Sequence, residues 1–342
     1  MAWPEWRHPL CLGGGAFCFV SGRFANAIIR PNDFVTRHLR SAPLNHLPRI
    51  LILMATHNAQ VTIAKQLDTI FGQTGCEVSL WVADDSSSDN TYHILETYAA
   101  EHQAMRILFN TERRGVERRM FDLFHACKPD EFDYIGFAYQ DEEWRLGKLE
   151  AAITRISANT SRPELYYGNV KKIDLNGIPL GDDYDGYEEC VEKQASLLLV
   201  PNWAHASTML MNRALVKLIQ THPVRDYGRD FWTWIHAAAL YCGGYVYGDL
   251  SHVYVTRRTL EMERYDNAPV PETPEQRTKF AATLLREYKP QMPDEVVGVV
   301  EEVALRQTSA KCRASLARRA DIAAPAGQSL SKLRLELLAG RL

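Results

Sequence analysis

The sequence predicts an α/β protein with a mostly parallel sheet flanked by helices and a helical C-terminal extension. Three observations predict it. Apolar runs of strand length alternate with runs of helix length from Arg49 to Ile156. Helical stretches such as Ile63, Leu67 and Ile70 place apolar residues on one face. Three of the strand-like runs end in polar clusters, "THN", "DDSSSDN" and "QDEE". Strands alternating with helices pair in parallel through right-handed crossovers. Ligands of such sheets sit beyond the carboxyl ends of the strands, near a change in strand order.

In chain order, "ILILMA" reads as a fully buried strand and "AQVTIAKQLDTIFGQ" as an amphipathic helix. Strand "EVSLWVADD", helix "DNTYHILETYAAEH", strand "MRILF", helix "VERRMFDLFHAC" and strand "YIGFAY" follow. The acids of "QDEEW" then lead into a helix expected at "WRLGKLEAAITRI", with Glu142 and Glu143 either ligands or the start of that helix. Beyond Ile156 the alternation fades. "ELYYGNVKKID" is strand-like, "DDYDGYEEC" is an acidic loop, and "NWAHASTMLMNRALVKL" is a strand and helix. "WTWIHAAAL" reads as a helix and "HVYV" as a strand. The Pro-rich "PVPETPEQ" is a linker, followed by three helix-like runs. The expected segments are therefore a poorly ordered extension over 1–48, a domain over 49–260 divided near 158, a linker over 261–276 and a helical extension over 277–342.

Composition excludes several classes. The 342 residues are 46% hydrophobic and 24% charged, which suits a folded globular chain. A net charge of -3 argues against a nucleic-acid binder. No apolar run approaches the roughly 20 residues that cross a bilayer. The glycine-broken "LCLGGGAFCFV" is expected not to be a secretory signal. Seven scattered cysteines without a C-x-x-C pair read as reduced thiols of a cytoplasmic protein. From Glu301 onward, eight basic residues against four acidic ones accompany a stripe of Leu330, Leu333 and Leu337. That tail suits peripheral contact with the inner face of the plasma membrane, packing on the domain, or a second subunit in a homodimer.

The polar clusters carry the chemistry. Asp84 and Asp85 end an apolar strand, where adjacent carboxylates repel and gain nothing as caps, while Ser88 or Asp89 caps the next helix. Asn58 is expected either to cap the first helix or to join a site with Thr56 and His57. Asp141 offers a hard oxygen ligand for Mg²⁺ or Mn²⁺. The first turn, "MATHNAQ", has none of the glycines that a dinucleotide fingerprint requires, and a P-loop is absent too.

With their order and spacing, "ILILMATHNAQVTIAKQLDTIFGQT", "VSLWVADDSSSDNTYHILETYA", "ILFNTERRGVERRMFDLF" and "YIGFAYQDEEWRLGKLEAAI" resemble the nucleotide-binding half of family 2 glycosyltransferases of GT-A (Rossmann-like) fold. The likeness is greatest to the bacterial O-antigen and capsule branch, rhamnosyltransferases included. It implies inverting transfer from a nucleoside diphosphate sugar to a saccharide or lipid-linked saccharide, with residues 49–158 as the nucleotide-sugar half and 159–260 as the acceptor half. It implies that Thr56 and His57 adjoin the nucleobase, that Asp84 accepts from the base and that Asp85 lies near the ribose, with Asn58 among the nucleotide-sugar-binding residues. Arg113 and Gly115 fall in the loop over the donor. Gln140 and Asp141 fall in the D-x-D region, where Tyr139 replaces the first Asp and Asp141 remains as the metal ligand. His205 and Trp232 fall on the acceptor side, while Arg257 or Arg258, after the strand "HVYV", is expected either to contact the diphosphate or to be a solvated surface arginine. "RDFW" resembles a segment whose acid deprotonates the acceptor, which nominates Asp230 as general base, with helix capping as the other reading. Tyr139 also motivates an alternative, a sugar-nucleotide-binding or scaffolding subunit with impaired catalysis.

Overall fold

The computed structural model describes residues 46–174, 178–182, 204–223, 230–242, 244–258 and 273–304. The expected N-terminal extension, most of the "DDYDGYEEC" loop, most of the linker and the tail after Ala304 lie outside the described residues. The elements run β1 (Arg49–Thr56), α1 (Ile63–Phe71), β2 (Glu77–Asp85), α2 (Thr91–Glu101), β3 (Met105–Asn110), α3 (Val116–Ala126), β4 (Tyr134–Ala138) and β5 (Glu142–Trp144). They continue with α4 (Lys148–Ile153), β6 (Glu164–Ile173), β7 (Pro179–Asp182), β8 (Leu210–Asn212), α5 (Arg213–Gln220), α6 (Phe231–Tyr241), β9 (Tyr245–Arg258), α7 (Pro274–Tyr288) and α8 (Asp294–Ala304).

One sheet joins the strands in the order β3-β2-β1-β4-β8-β6-β9-β5, with β7 beside β6. β3, β2, β1 and β4 are mutually parallel, whereas β8 runs antiparallel to both β4 and β6. The chain leaves β1 for β2 on one side and later returns to β4 on the other. This change of direction puts the end of β1 at the switch point where α/β sheets bind ligands.

The unbroken apolar run of β1 has a direct cause. Successive strand residues face opposite sides, and both sides are covered. Ile50, Ile52 and Met54 meet α1, α2 and α4 through Ile63, Leu67, Leu95 and Leu149. Leu51, Leu53 and Ala55 face the other core, which includes Phe124 of α3, Trp234 of α6, Phe280 of α7 and Val300 of α8. Trp234 meets the rings of Phe280 and Tyr288 at 5.9 and 5.2 Å, so α7 and α8 pack into the same core as the sheet.

Two local expectations are corrected. The acids of "QDEEW" do not open a helix: Glu142, Glu143 and Trp144 form β5, antiparallel to Arg257, Thr256 and Val255 of β9. Glu142 and Trp144 both turn inward and are buried, which is strand periodicity. The helix starts at Lys148, after Gly147 with φ +82, a left-handed conformation that favours glycine. Asn58 caps no helix. It sits in a turn with φ +49, four residues ahead of Thr62, and α1 has no side-chain cap.

Strand β8 is fixed by buried Asn212, which bridges two elements. Its Oδ1 accepts from Leu215 N and Glu164 N, both at 3.0 Å, and its Nδ2 donates to Ser157 O and Arg162 O at 3.0 and 2.9 Å. Asn212→Ala strands four backbone groups at once and is expected to cost about 3 kcal/mol. Urea denaturation measures the loss, and a change below about 1 kcal/mol would contradict this account.

Candidate functional site

The two acids closing β2 do not repel as neighbours on one surface would, because the strand sends them to opposite faces. Thr56, Asp84 and Phe109 lie side by side across β1, β2 and β3. Asp84 is fully buried and accepts from the Thr56 hydroxyl at 3.0 Å, the Ser87 amide at 2.9 Å and the Ser87 hydroxyl at 2.6 Å. Asp85, equally buried, accepts from the amides of Arg114 and Gly115 at 2.8 and 2.7 Å and from Arg119 Nε at 2.7 Å. Burial opposes the charge on Asp85. The Arg114 amide, the Arg119 guanidinium and the Gly115 amide outweigh it and hold the carboxyl below its ordinary value. Arg119 also donates to Glu112 O, so a single ion pair gathers the whole loop from Glu112 to Gly115 against the strand end. Gly115 has φ +88 and precedes α3.

The loops after β1 and β2 are laced together by side chains bonding to backbone. Asn58 N donates to Ser87 Oγ at 2.9 Å, and Ser88 N returns to Asn58 Oδ1 at 2.8 Å. Gln60 N donates to Asp89 Oδ2 at 3.1 Å, and Asn90 N returns to Gln60 Oε1 at 3.0 Å. Asp89 also accepts from Thr91 N at 2.9 Å, which satisfies the first amide of α2 as a capping residue would. His57 Nδ1 lies 2.9 Å from Asp85 O. A carbonyl only accepts, so that nitrogen carries the proton. Gln140 holds the backbone of His57 on both sides: its Oε1 accepts from His57 N at 2.7 Å and its Nε2 donates to His57 O at 3.1 Å. The ends of β1, β2 and β4 are thereby fastened to one another.

Next to this clamp stands half-buried Asp141. Tyr139, before it, meets the His205 ring edge-on at 5.7 Å. Glu142, after it, is fully buried and accepts, at 3.4 Å, from the Trp144 indole. Behind β5, the buried Lys148 ammonium lies 3.5 Å from the centroid of the Trp144 ring. Burial lowers the Lys148 pKa, opposed by the Glu142 charge. Among the described residues no group of three or more His, Cys, Asp or Glu is gathered that could hold a metal. Magnesium-type ions need only one or two protein carboxylates when substrate phosphates supply the rest, and Asp141 satisfies that smaller demand. The β5–β9 register sets Arg257 directly across from Glu142.

Asp230 stands immediately before α6 and does cap it. Its Oδ1 accepts from Thr233 N and its Oδ2 from the Thr233 hydroxyl, both at 2.8 Å. Even so, the residue is exposed, and each carboxylate oxygen has a further lone pair. Two contacts tie this end of α6 to α3 and β4. Trp232 packs edge-on against Phe137 of β4 at 4.8 Å. Phe231 N donates to Glu117 Oε1 of α3 at 2.7 Å. The geometry thus joins Thr56, His57, Asn58, Asp84, Asp85, Gly115 and Gln140 in one bonded set, with Asp141 adjoining it in sequence. Asp230 is linked through Glu117, and Arg113 is exposed in the same loop. Sequence reasoning missed Arg119, Glu117 and Lys148. Their spacing from Gly115 and Gly147 was the available signal, because each lies within the first four residues after a glycine that opens a helix.

Residues 51–178 match the family profile described as Glycosyl transferase family 2. The chain is 29% identical over 119 residues to a dTDP-rhamnosyl transferase, RfbG, of Shigella flexneri, which is 34% of this chain and 40% of that protein. It is 30% identical over 130 residues to the UDP-Glc:alpha-D-GlcNAc-diphosphoundecaprenol beta-1,3-glucosyltransferase WfgD of Escherichia coli, 38% of this chain and 48% of that one. In both cases the match spans less than half of the relative's length. The S. aureus TarS fragment 1–349 in complex with UDP-GlcNAc superposes with a TM-score of 0.56 at 14% identity, covering 86% of this chain and 87% of that one. At that identity the likeness is one of fold, the GT-A arrangement.

Breaking the Asp85 ion pair leaves Arg119 buried without its partner charge, so Asp85→Asn is expected to cost about 3 kcal/mol at pH 7. The pH dependence has a definite sign. A carboxyl lowered in the folded state stabilises fully above its unfolded value of about 4, and that stabilisation is lost as pH falls through the lower folded value. The wild type should therefore lose stability more steeply than Asp85→Asn below about pH 4. Urea midpoints collected from pH 7 down to pH 3 test this, and parallel acid slopes would refute it.

Proposed function

From the premise that residues 51–178 make the chain a member of glycosyl transferase family 2, we propose that it is an inverting glycosyltransferase. It takes a sugar from a nucleoside diphosphate sugar and passes it to a saccharide acceptor carried on a lipid, in the assembly of a cell-surface polysaccharide. The observation that carries this reading is the 2.7 Å bond from Phe231 N to Glu117. It holds the exposed acid Asp230 beside the loop that Asp85 organises, where a base and a nucleotide site have to meet. The names of the relatives support the substrate classes: one uses a dTDP-linked donor, and the other acts on a diphosphoundecaprenol-linked sugar.

In this mechanism His57 and Asn58 receive the nucleoside, with Thr56, Asp84 and Asp85 holding the loops that shape its site. Asp230 takes the proton from the acceptor hydroxyl as that oxygen bonds to the anomeric carbon from the face opposite the leaving group. The bond from that carbon to the diphosphate breaks, and its electron pair leaves with the nucleoside diphosphate. Asp141 would hold Mn²⁺ or Mg²⁺, which when bound neutralises the departing diphosphate. Arg257, whose backbone pairs in register with Glu142, is the proposed diphosphate-contacting residue. His205 and Trp232 border the acceptor. The basic, leucine-striped tail supplies peripheral contact at the cytoplasmic membrane surface where such an acceptor resides.

One feature favours a second reading. Tyr139 replaces an acid and packs on His205, as suits a binding subunit without turnover. Release of nucleoside diphosphate from donor sugars, with and without EDTA and followed by mass spectrometry, separates the two. Asp230→Asn keeps a good helix cap and should retain fold and nucleotide affinity while transfer falls roughly 10²–10⁴-fold. Asp141→Ala should abolish the tightening of nucleoside diphosphate binding by Mn²⁺. Near-normal transfer by Asp230→Asn would remove that residue from the base role.

A further inference from the structure

We propose that Glu117 is a positioning residue for the general base: it fixes the first turn of α6, and with it Asp230, to the loop that covers the donor. The inference rests on the assignment of Asp230 given above and deepens it, giving the Glu117 bond a role in turnover of its own.

The first amides of a helix have no partner within it. In α6 the Asp230 side chain satisfies the Thr233 amide, whereas the Phe231 amide is taken by Glu117 Oε1, 114 residues away in sequence. Glu117 is the second residue of α3 and lies two residues after Gly115, the glycine held by Asp85. Bonds therefore run from Asp85 to Gly115, and from Glu117 to Phe231, the residue next to the base.

The partner chosen is costly unless it has a use. Much of Glu117 is open to solvent, yet its carboxyl is desolvated between the two helices. That burial raises its pKa, the Phe231 amide opposes the rise, and the Asp230 charge adds to it. The body of α6 does not depend on this bond. Phe231 meets Phe121 and Phe124 at 5.3 Å, and Trp232 meets Phe137 at 4.8 Å. Loss of the Glu117 acceptor thus leaves the helix packed and releases only its first turn. What the bond sets is the placement of Asp230 against the donor loop, and a displacement of about 1 Å in a reacting group can cost on the order of 10²-fold.

The experiment uses the full chain and compares Glu117→Leu, Glu117→Asp and Glu117→Gln, with Asp230→Asn as reference. Three quantities are read: nucleoside diphosphate release from UDP-glucose or dTDP-rhamnose, whichever the chain turns over, the affinity for UDP or dTDP, and the thermal midpoint. Glu117→Leu removes the acceptor, and Glu117→Asp keeps the charge but shortens the reach. Both are expected to lower kcat about 10- to 100-fold with nucleotide affinity, donor KM and midpoint unchanged. Glu117→Gln retains an acceptor oxygen at the same reach and should recover most of the lost rate. Wild-type kcat in Glu117→Leu and Glu117→Asp overturns the proposal, as does failure of Glu117→Gln to recover the rate. Parallel losses of midpoint, affinity and kcat overturn it too, since they describe a residue that only stabilises the fold. If Asp230→Asn is inactive while Glu117→Leu turns over normally, the positioning role alone falls. If Asp230→Asn transfers normally, the base assignment falls and the positioning role with it.

Discussion

A buried carboxylate at the end of β2 organises most of what surrounds the site. Asp85 takes three donors from the 112–119 segment, while its own carbonyl receives the His57 ring nitrogen. One residue thus holds the loop before α3, the start of that helix and the side chain that follows β1. An ion pair with such low exposure contributes little net stability over an apolar pair of the same shape. What it supplies is geometry, because a guanidinium and two amides converging on one carboxylate leave the loop a single conformation.

Around that point the fold divides its labour by strand parity. β1 is apolar throughout because both of its faces are covered, one by α1, α2 and α4 and the other by α3, α6, α7 and α8. Polar residues are consequently excluded from the strand and gather where it ends. The second half of the sheet reverses direction at β8 and returns through β9 to meet β5, which brings a late segment of chain back to the acids that follow β4. Residues far apart in sequence, Glu142–Trp144 and 255–257, meet at one end of the sheet for this topological reason.

The alternation of strands and helices was legible because it depends on local periodicity. The placement of the three polar clusters was legible because ligand sites of parallel sheets follow topology. β5 was not. Three residues are too short to show a period, and acids are common in the first turn of helices, so Glu142 and Glu143 looked helical. The pairing that makes them a strand comes from Val255 to Arg257, more than a hundred residues later. The clamp that Gln140 makes on His57, and Glu117 altogether, were obscured for a related reason. Their partners are backbone groups, which every sequence possesses, so no residue type elsewhere marks them. The pairing of Asp85 with Arg119 also escaped notice, since nothing in the order of residues states that Asp84 and Asp85 face opposite ways until the strand is known to continue to its last residue.

The grip of Gln140 on His57 has an implication for how readily this architecture can diversify. The carboxamide reads an amide hydrogen and a carbonyl oxygen, atoms supplied by every amino acid other than proline. Position 57 is thereby held in place whatever side chain it bears, and the only bonds lost on exchange are those of the imidazole itself. A fastening that ignores side-chain identity at the strand ends separates the scaffold from the surface it presents. Such a position can be rewritten by single codon changes without first rebuilding the loops around it, which is the property a lineage needs if one fold is to be reused for many ligands.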